Sequence, residues 1–171
     1  MTINDTFNSH AGKLLVSLMP LSGTLSDLFH RSVVLVLRDN AQRASGVDLA
    51  HRLDRHVLRG GAGQHGVLIF RNAGAHTSWM NRIPQLPSLG YMATFGPRPT
   101  MEDLNREPPP TDQRFFSGSA QWGPDGIRNE IAWGCWHALD ADEDLVWNTP
   151  AGQIYDLCLN TIHSMRVSPC P

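Results

Sequence analysis

Lysine is almost missing from this chain. Lys13 stands alone beside thirteen arginines, an imbalance that fits either a coding bias or a need for bidentate contacts to anions. Charge is nearly balanced, with a slight acidic excess: 14 basic and 16 acidic residues leave a formal net charge of −2, which argues against a dominant nucleic-acid or anionic-lipid surface. Cysteine is scarce. Cys135, Cys158 and Cys170 are odd in number, widely spaced and without a C-x-x-C pair, so neither a disulfide framework nor a zinc knuckle is indicated. The first two lie in apolar surroundings, where buried free thiols are expected; the expected compartment is reducing, the cytoplasm or an organelle matrix. No apolar run approaches the roughly 20 residues that span a bilayer. The first residues, MTINDTFNSHAG, lack the charged and apolar regions of a secretory signal.

Reaction motifs are equally sparse. The phosphate-loop pattern G-x-x-x-x-G-K-[ST], H-E-x-x-H and the G-x-S-x-G elbow are all absent. The glycine-rich run Arg59-Gly60-Gly61-Ala62-Gly63 leads into an expected strand at 66–70, whereas a phosphate cradle needs a helix N-terminus directly after the loop. A tight turn with positive φ at Gly60 or Gly61 is the expectation. Eight histidines, at 10, 30, 51, 56, 65, 76, 137 and 163, include no pair at the i, i+4 spacing of a helical zinc site. Asp140-Ala141-Asp142-Glu143-Asp144 offers oxygen ligands without the glycine and distal glutamate of a calcium loop. It reads as an acidic helix start, capped by Asp140. Cys135 and His137 are two apart, which on a strand places them on one face, but their bulky neighbours point to packing. No catalytic, cofactor or metal residue is assigned.

What the chain does contain is a core. At 171 residues and 41% hydrophobic it suits one domain, with a flexible segment at 1–11, a folded body at 12–163 and a tail at 164–171. The stretch 115–147 carries four of the five tryptophans. It reads as a strand over 115–122, a short helix beginning at Pro124, a second strand over 132–138 and an acidic helical turn. Ile127 and Ile131 share a helix face, and Trp122 and Trp136 are expected to be buried on either side of that helix; with Trp147 these form the predicted structural core. Upstream, residues 13–19 and 32–37 read as strands, the latter a nearly uninterrupted β-branched run. Residues 38–45 read as a turn, 46–53 as either helix or strand, 71–89 as an irregular link and 91–95 as a strand. Thr149-Pro150 opens a last helix with Ile154, Leu157, Cys158 and Ile162 at helical spacing.

The order of these motifs resembles the AlgH/YqgE family, small and mostly bacterial proteins that carry a transcriptional-regulator label. The residues that match are Gly12-Lys13-Leu14-Leu15, Phe29-His30-Arg31-Ser32-Val33-Val34-Leu35, Gly60-Gly61-Ala62, Gly118-Ser119-Ala120-Gln121-Trp122 with Asn129-Glu130-Ile131, and Trp136-His137 with Ala141-Asp142. Departures are Gly46-Val47-Asp48-Leu49-Ala50-His51-Arg52, where the family has G-L-I-L-N-R-P, Ala62 in place of a proline, and Ser119 in place of a tyrosine. The resemblance implies one α+β domain with a strongly bent, partly barrel-like mixed sheet and peripheral helices. It implies no catalytic residues.

The function expected is that of a non-catalytic protein-interaction domain, an accessory or regulatory subunit of a larger assembly, with a protein partner, no cofactor and no membrane insertion. The alternatives are nucleic-acid binding through Arg52, Arg55, Arg59 and Arg82, or a small-molecule-binding protein or enzyme. No helix-turn-helix is visible in the pattern.

Overall fold

The computed structural model describes residues 8–18, 29–51, 66–71, 81–94, 113–117 and 119–167. The apolar run after Ser32 becomes β2 (Val33–Asp39), its first five residues buried. Such a run suits a strand covered on both faces. Val33 and Leu35 enter one core cluster, while Val34 and Val36 enter another. Around β2, the strands β1 (Lys13–Ser17), β3 (Ala44–Asp48), β8 (Ala120–Trp122) and β9 (Trp136–Asp140) form a five-stranded sheet in the order β8-β3-β2-β1-β9. A second sheet holds β4 (Gly66–Phe70), β5 (Asn81–Ile83), β6 (Leu86–Thr94) and β7 (Gln113–Ser117) in the order β5-β6-β4-β7.

Every described ladder is antiparallel. The domain is α+β, and its strands divide between two antiparallel sheets rather than forming one mixed sheet. Neither sheet closes into a barrel among the described residues. The larger core cluster joins Leu14, Leu35 and Val47 of the first sheet to Ile69, Leu89 and Phe116 of the second.

Among the described residues three helices pack on the sheets: α1 (Gly126–Ala132), α2 (Glu143–Asn148) and α3 (Ala151–Val167). On α3, Ile154, Cys158 and Ile162 are buried at i, i+4 and i+8, and the Tyr155 hydroxyl donates to the Ser17 carbonyl at 2.8 Å. Leu157 departs from the expected stripe and is exposed, because it lies about 100° around the helix from Cys158. No described helix is long and apolar enough to cross a membrane.

Several expected boundaries move for local reasons. The strand read over 115–122 is two strands in different sheets, so the chain passes from one sheet to the other there. The turn expected at 38–45 narrows to 40–43, and residues 46–48 of the ambiguous segment after it belong to β3. The link expected at 71–89 contains a hairpin, β5 to β6, whose tip is Pro84-Gln85 with Gln85 at φ 66. A type II turn usually places glycine or asparagine at that position, so glutamine hides it. Within the segment read as a strand over 132–138, α1 runs on to Ala132 and β9 starts only at Trp136.

Asp142, not Asp140, caps α2 by accepting from the Leu145 amide at 2.7 Å. Asp140 ends β9 opposite Lys13, whose ammonium it holds at 3.1 Å. Gly60 and Gly61 lie outside the described residues.

Candidate functional site

Trp122 closes β8, Trp136 opens β9, and α1 lies between them in sequence. Both indoles are buried. They do not flank the helix as expected but meet each other, ring centroids 6.3 Å apart and nearly perpendicular. Glu130 of α1 holds them together: its Oε2 accepts the Trp122 Nε1–H at 2.8 Å and the Trp136 Nε1–H at 2.6 Å. Ile127 is buried beneath them and Ile131 packs half-buried at the margin. Trp147 is buried in the larger cluster, with the Arg114 guanidinium 4.4 Å from its ring centroid.

The same helix presents a different tryptophan outward. Trp133, its C-cap residue, is 72% exposed. The chain behind it is fixed by a Schellman turn: Gly134 N–H donates to Ile131 O at 3.0 Å, and Cys135 N–H donates to Glu130 O at 2.9 Å. Gly134 adopts φ 80, which the turn requires and a β-carbon disfavours. Asn129 and Ala132 are exposed beside Trp133 at i−4 and i−1. The indole therefore stands on a held backbone.

A second feature lies between the sheets, a cleft of about 730 Å³. Its first wall is a cross-strand row, Arg38 opposite Ser45 and Ser45 opposite Gln121. Simple alternation would put Arg38 on the α1 side with Val34 and Val36. Register instead shifts between Val36 and Arg38, and this bulge at Leu37 turns Arg38 to the face of Ser45. Arg43, in the turn just before β3, lines the cleft beside it.

The facing wall is the second sheet, where Tyr91 stands opposite Asn81. Burial raises the Tyr91 hydroxyl above its usual pKa and the nearby Arg38 charge opposes that rise, so the phenol stays a neutral donor near pH 7. No aspartate or glutamate lines the cleft among the described residues.

The other residues singled out in the sequence have local roles. Asp142 caps α2, Glu143 accepts from both the Ser88 amide and the Ser88 hydroxyl, and Asp144 accepts from Asn148 at 2.6 Å. No three His, Cys, Asp or Glu side chains converge among the described residues. Cys135 packs half-buried against the tryptophan cluster, and His137 pairs with Val16 in the ladder. Arg52, Arg55 and Arg59 lie outside the described residues. Arg82 is exposed, its Nη1 3.5 Å from the Pro87 carbonyl.

Asp48, which sequence reasoning passed over, accepts Ser32 Oγ at 2.6 Å and contacts His51 Nδ1 at 2.7 Å through the same oxygen. The Ser32 hydroxyl is fully buried and its proton is committed to the carboxylate. These three residues organise the turn after β3.

Two antiparallel sheets backed by helices, with an intersheet cleft and a displayed tryptophan, define the structural class. Within it, the chain belongs to the AlgH-like family (DUF179), which matches residues 50–165. Two solved structures share the fold. A crystal structure of a Corynebacterium diphtheriae protein is 22% identical, with TM-score 0.62, covering 96% of this chain and 90% of that one. The solution structure of the AlgH protein of Pseudomonas aeruginosa is 14% identical, with TM-score 0.66, covering 100% of this chain and 99% of that one. No curated protein matches the chain.

Proposed function

We propose that this domain is a non-catalytic protein-interaction module, an accessory or regulatory subunit of a larger assembly, and that Trp133 is its principal contact. The carrying observation is a 72% exposed indole on a turn fixed by two backbone hydrogen bonds. Tryptophan is enriched among the residues that dominate interface energetics. Ordering a side chain on association has an entropic cost, and a backbone already held limits it. Both described cysteines are free thiols, as a reducing compartment such as the cytoplasm or an organelle matrix would leave them. The test is recovery of the tagged protein from its own cell extract, side by side with Trp133→Ala. A stoichiometric protein partner retained by the parent and lost by the variant is the expected outcome.

A further inference from the structure

We propose that the intersheet cleft is a binding site for a small organic anion of the phosphate-monoester class. Its phosphate would sit against Arg38 and Arg43, and its organic body against Tyr91 and the apolar floor. This inference does not rest on the interaction reading; it uses a different face of the molecule.

Charge is the first argument. The chain carries more acidic than basic residues, yet the described lining has two arginines and no carboxylate. Neither guanidinium takes part in an ion pair among the described residues. Two like charges lining one cleft repel, and an anion between them relieves that repulsion. Planar guanidinium groups match the oxygen spacing of a phosphate in a bidentate way.

Strand geometry is the second. Without the Leu37 bulge, Arg38 would point to the opposite face, toward the tryptophan cluster. The bulge interrupts the ladder, and irregularities of this kind occur where a side chain is re-aimed beside a site. Ser45 and Gln121 extend the same row with neutral hydrogen-bonding groups. Across the cleft, Tyr91 and Asn81 add a phenol and an amide.

Size and floor are the third. About 730 Å³ lies within the roughly 300–1,000 Å³ typical of small-molecule sites. Leu37, Val67 and Met92 give it an apolar floor, which inorganic phosphate alone would leave uncovered.

The test is titration calorimetry of the full chain at low salt with adenosine monophosphate, inorganic phosphate and adenosine. Adenosine monophosphate is expected to bind at least about tenfold more tightly than either fragment, a difference of about 1.4 kcal/mol. Affinity should fall with added salt. The double variant Arg38→Gln, Arg43→Gln should lose at least about tenfold. Gln121→Glu, which puts a carboxylate into the row, should weaken binding in the same direction. Arg38, Arg43 and Gln121 are all exposed, so unchanged thermal midpoints are expected and would show that the folds are intact.

Adenosine monophosphate binding that is absent, or unaffected by these variants, overturns the proposal. Equal affinity for inorganic phosphate and adenosine monophosphate overturns the assignment of an organic body. Equal affinity for adenosine and adenosine monophosphate overturns the anionic assignment.

Discussion

Trp122 and Trp136 touch edge to face, and one carboxylate oxygen of Glu130 accepts a hydrogen bond from each. A carboxylate among buried aromatic rings is stabilised only while those donors face it. The helix between the two tryptophans is thereby locked to both strands that flank it in sequence.

Removing the acceptor should leave two buried indole N–H groups without a partner. Glu130→Ala is expected to cost roughly 2–6 kcal/mol, at about 1–3 kcal/mol for each unsatisfied group. Glu130→Gln keeps one acceptor oxygen and should cost less. Trp136→Ala, which opens a cavity under the same helix, should cost about 3–5 kcal/mol. Denaturant unfolding followed by circular dichroism orders the three variants; equal stability of Glu130→Ala and the parent would break the description of this unit.

Gly134 is expected to resist substitution although open space surrounds its Cα. An alanine there must adopt φ 80, at about 1–2 kcal/mol. Gly134→Ala should lower the thermal midpoint and also weaken any partner contact made by Trp133, because the turn behind the indole is the part that shifts. Gly152 has equally open surroundings without positive φ, so Gly152→Ala should lack the penalty.

Burial pushes the Cys158 thiol up to about 11 from an ordinary value of 9.0. Between those values the unfolded chain loses the proton while the folded chain keeps it. Stability must therefore fall as pH rises from about 9 to about 11, the contribution being fully present below 9. Cys158→Ala should show a shallower decline over that window. A thiol reagent at neutral pH should modify Cys135 before Cys158, which is 1% exposed.

How much was legible in the sequence depends on whether a feature is encoded locally. The run through Val33 and Leu37 declares a strand buried on both faces, since nothing polar interrupts it. Ile154, Cys158 and Ile162 declare a helix face by spacing alone. The capping residue of α2 was misplaced by two positions, because Asp140 and Asp142 are equally good caps until strand pairing assigns the first to Lys13.

Features made by tertiary contact were not legible. Glu130 looks like a surface charge on a short helix, and only the fold brings two indoles to it. Arg38 follows an apolar run and looks like its solvent-facing end. The cleft depends on a register shift that no residue type announces. Trp133 was grouped with its apolar neighbours, yet helix geometry turns it away from the face that buries Ile127.

The most direct test of the interaction reading is a paired purification from native extract at physiological ionic strength, with the mass of the eluted species measured by light scattering. The parent protein should elute with a stoichiometric protein partner. Trp133→Ala should elute as a lone monomer, with stability within about 0.5 kcal/mol of the parent, because an exposed side chain contributes little to folding. A parent protein that elutes alone, or a Trp133→Ala variant that keeps the same partner at the same stoichiometry, would contradict it.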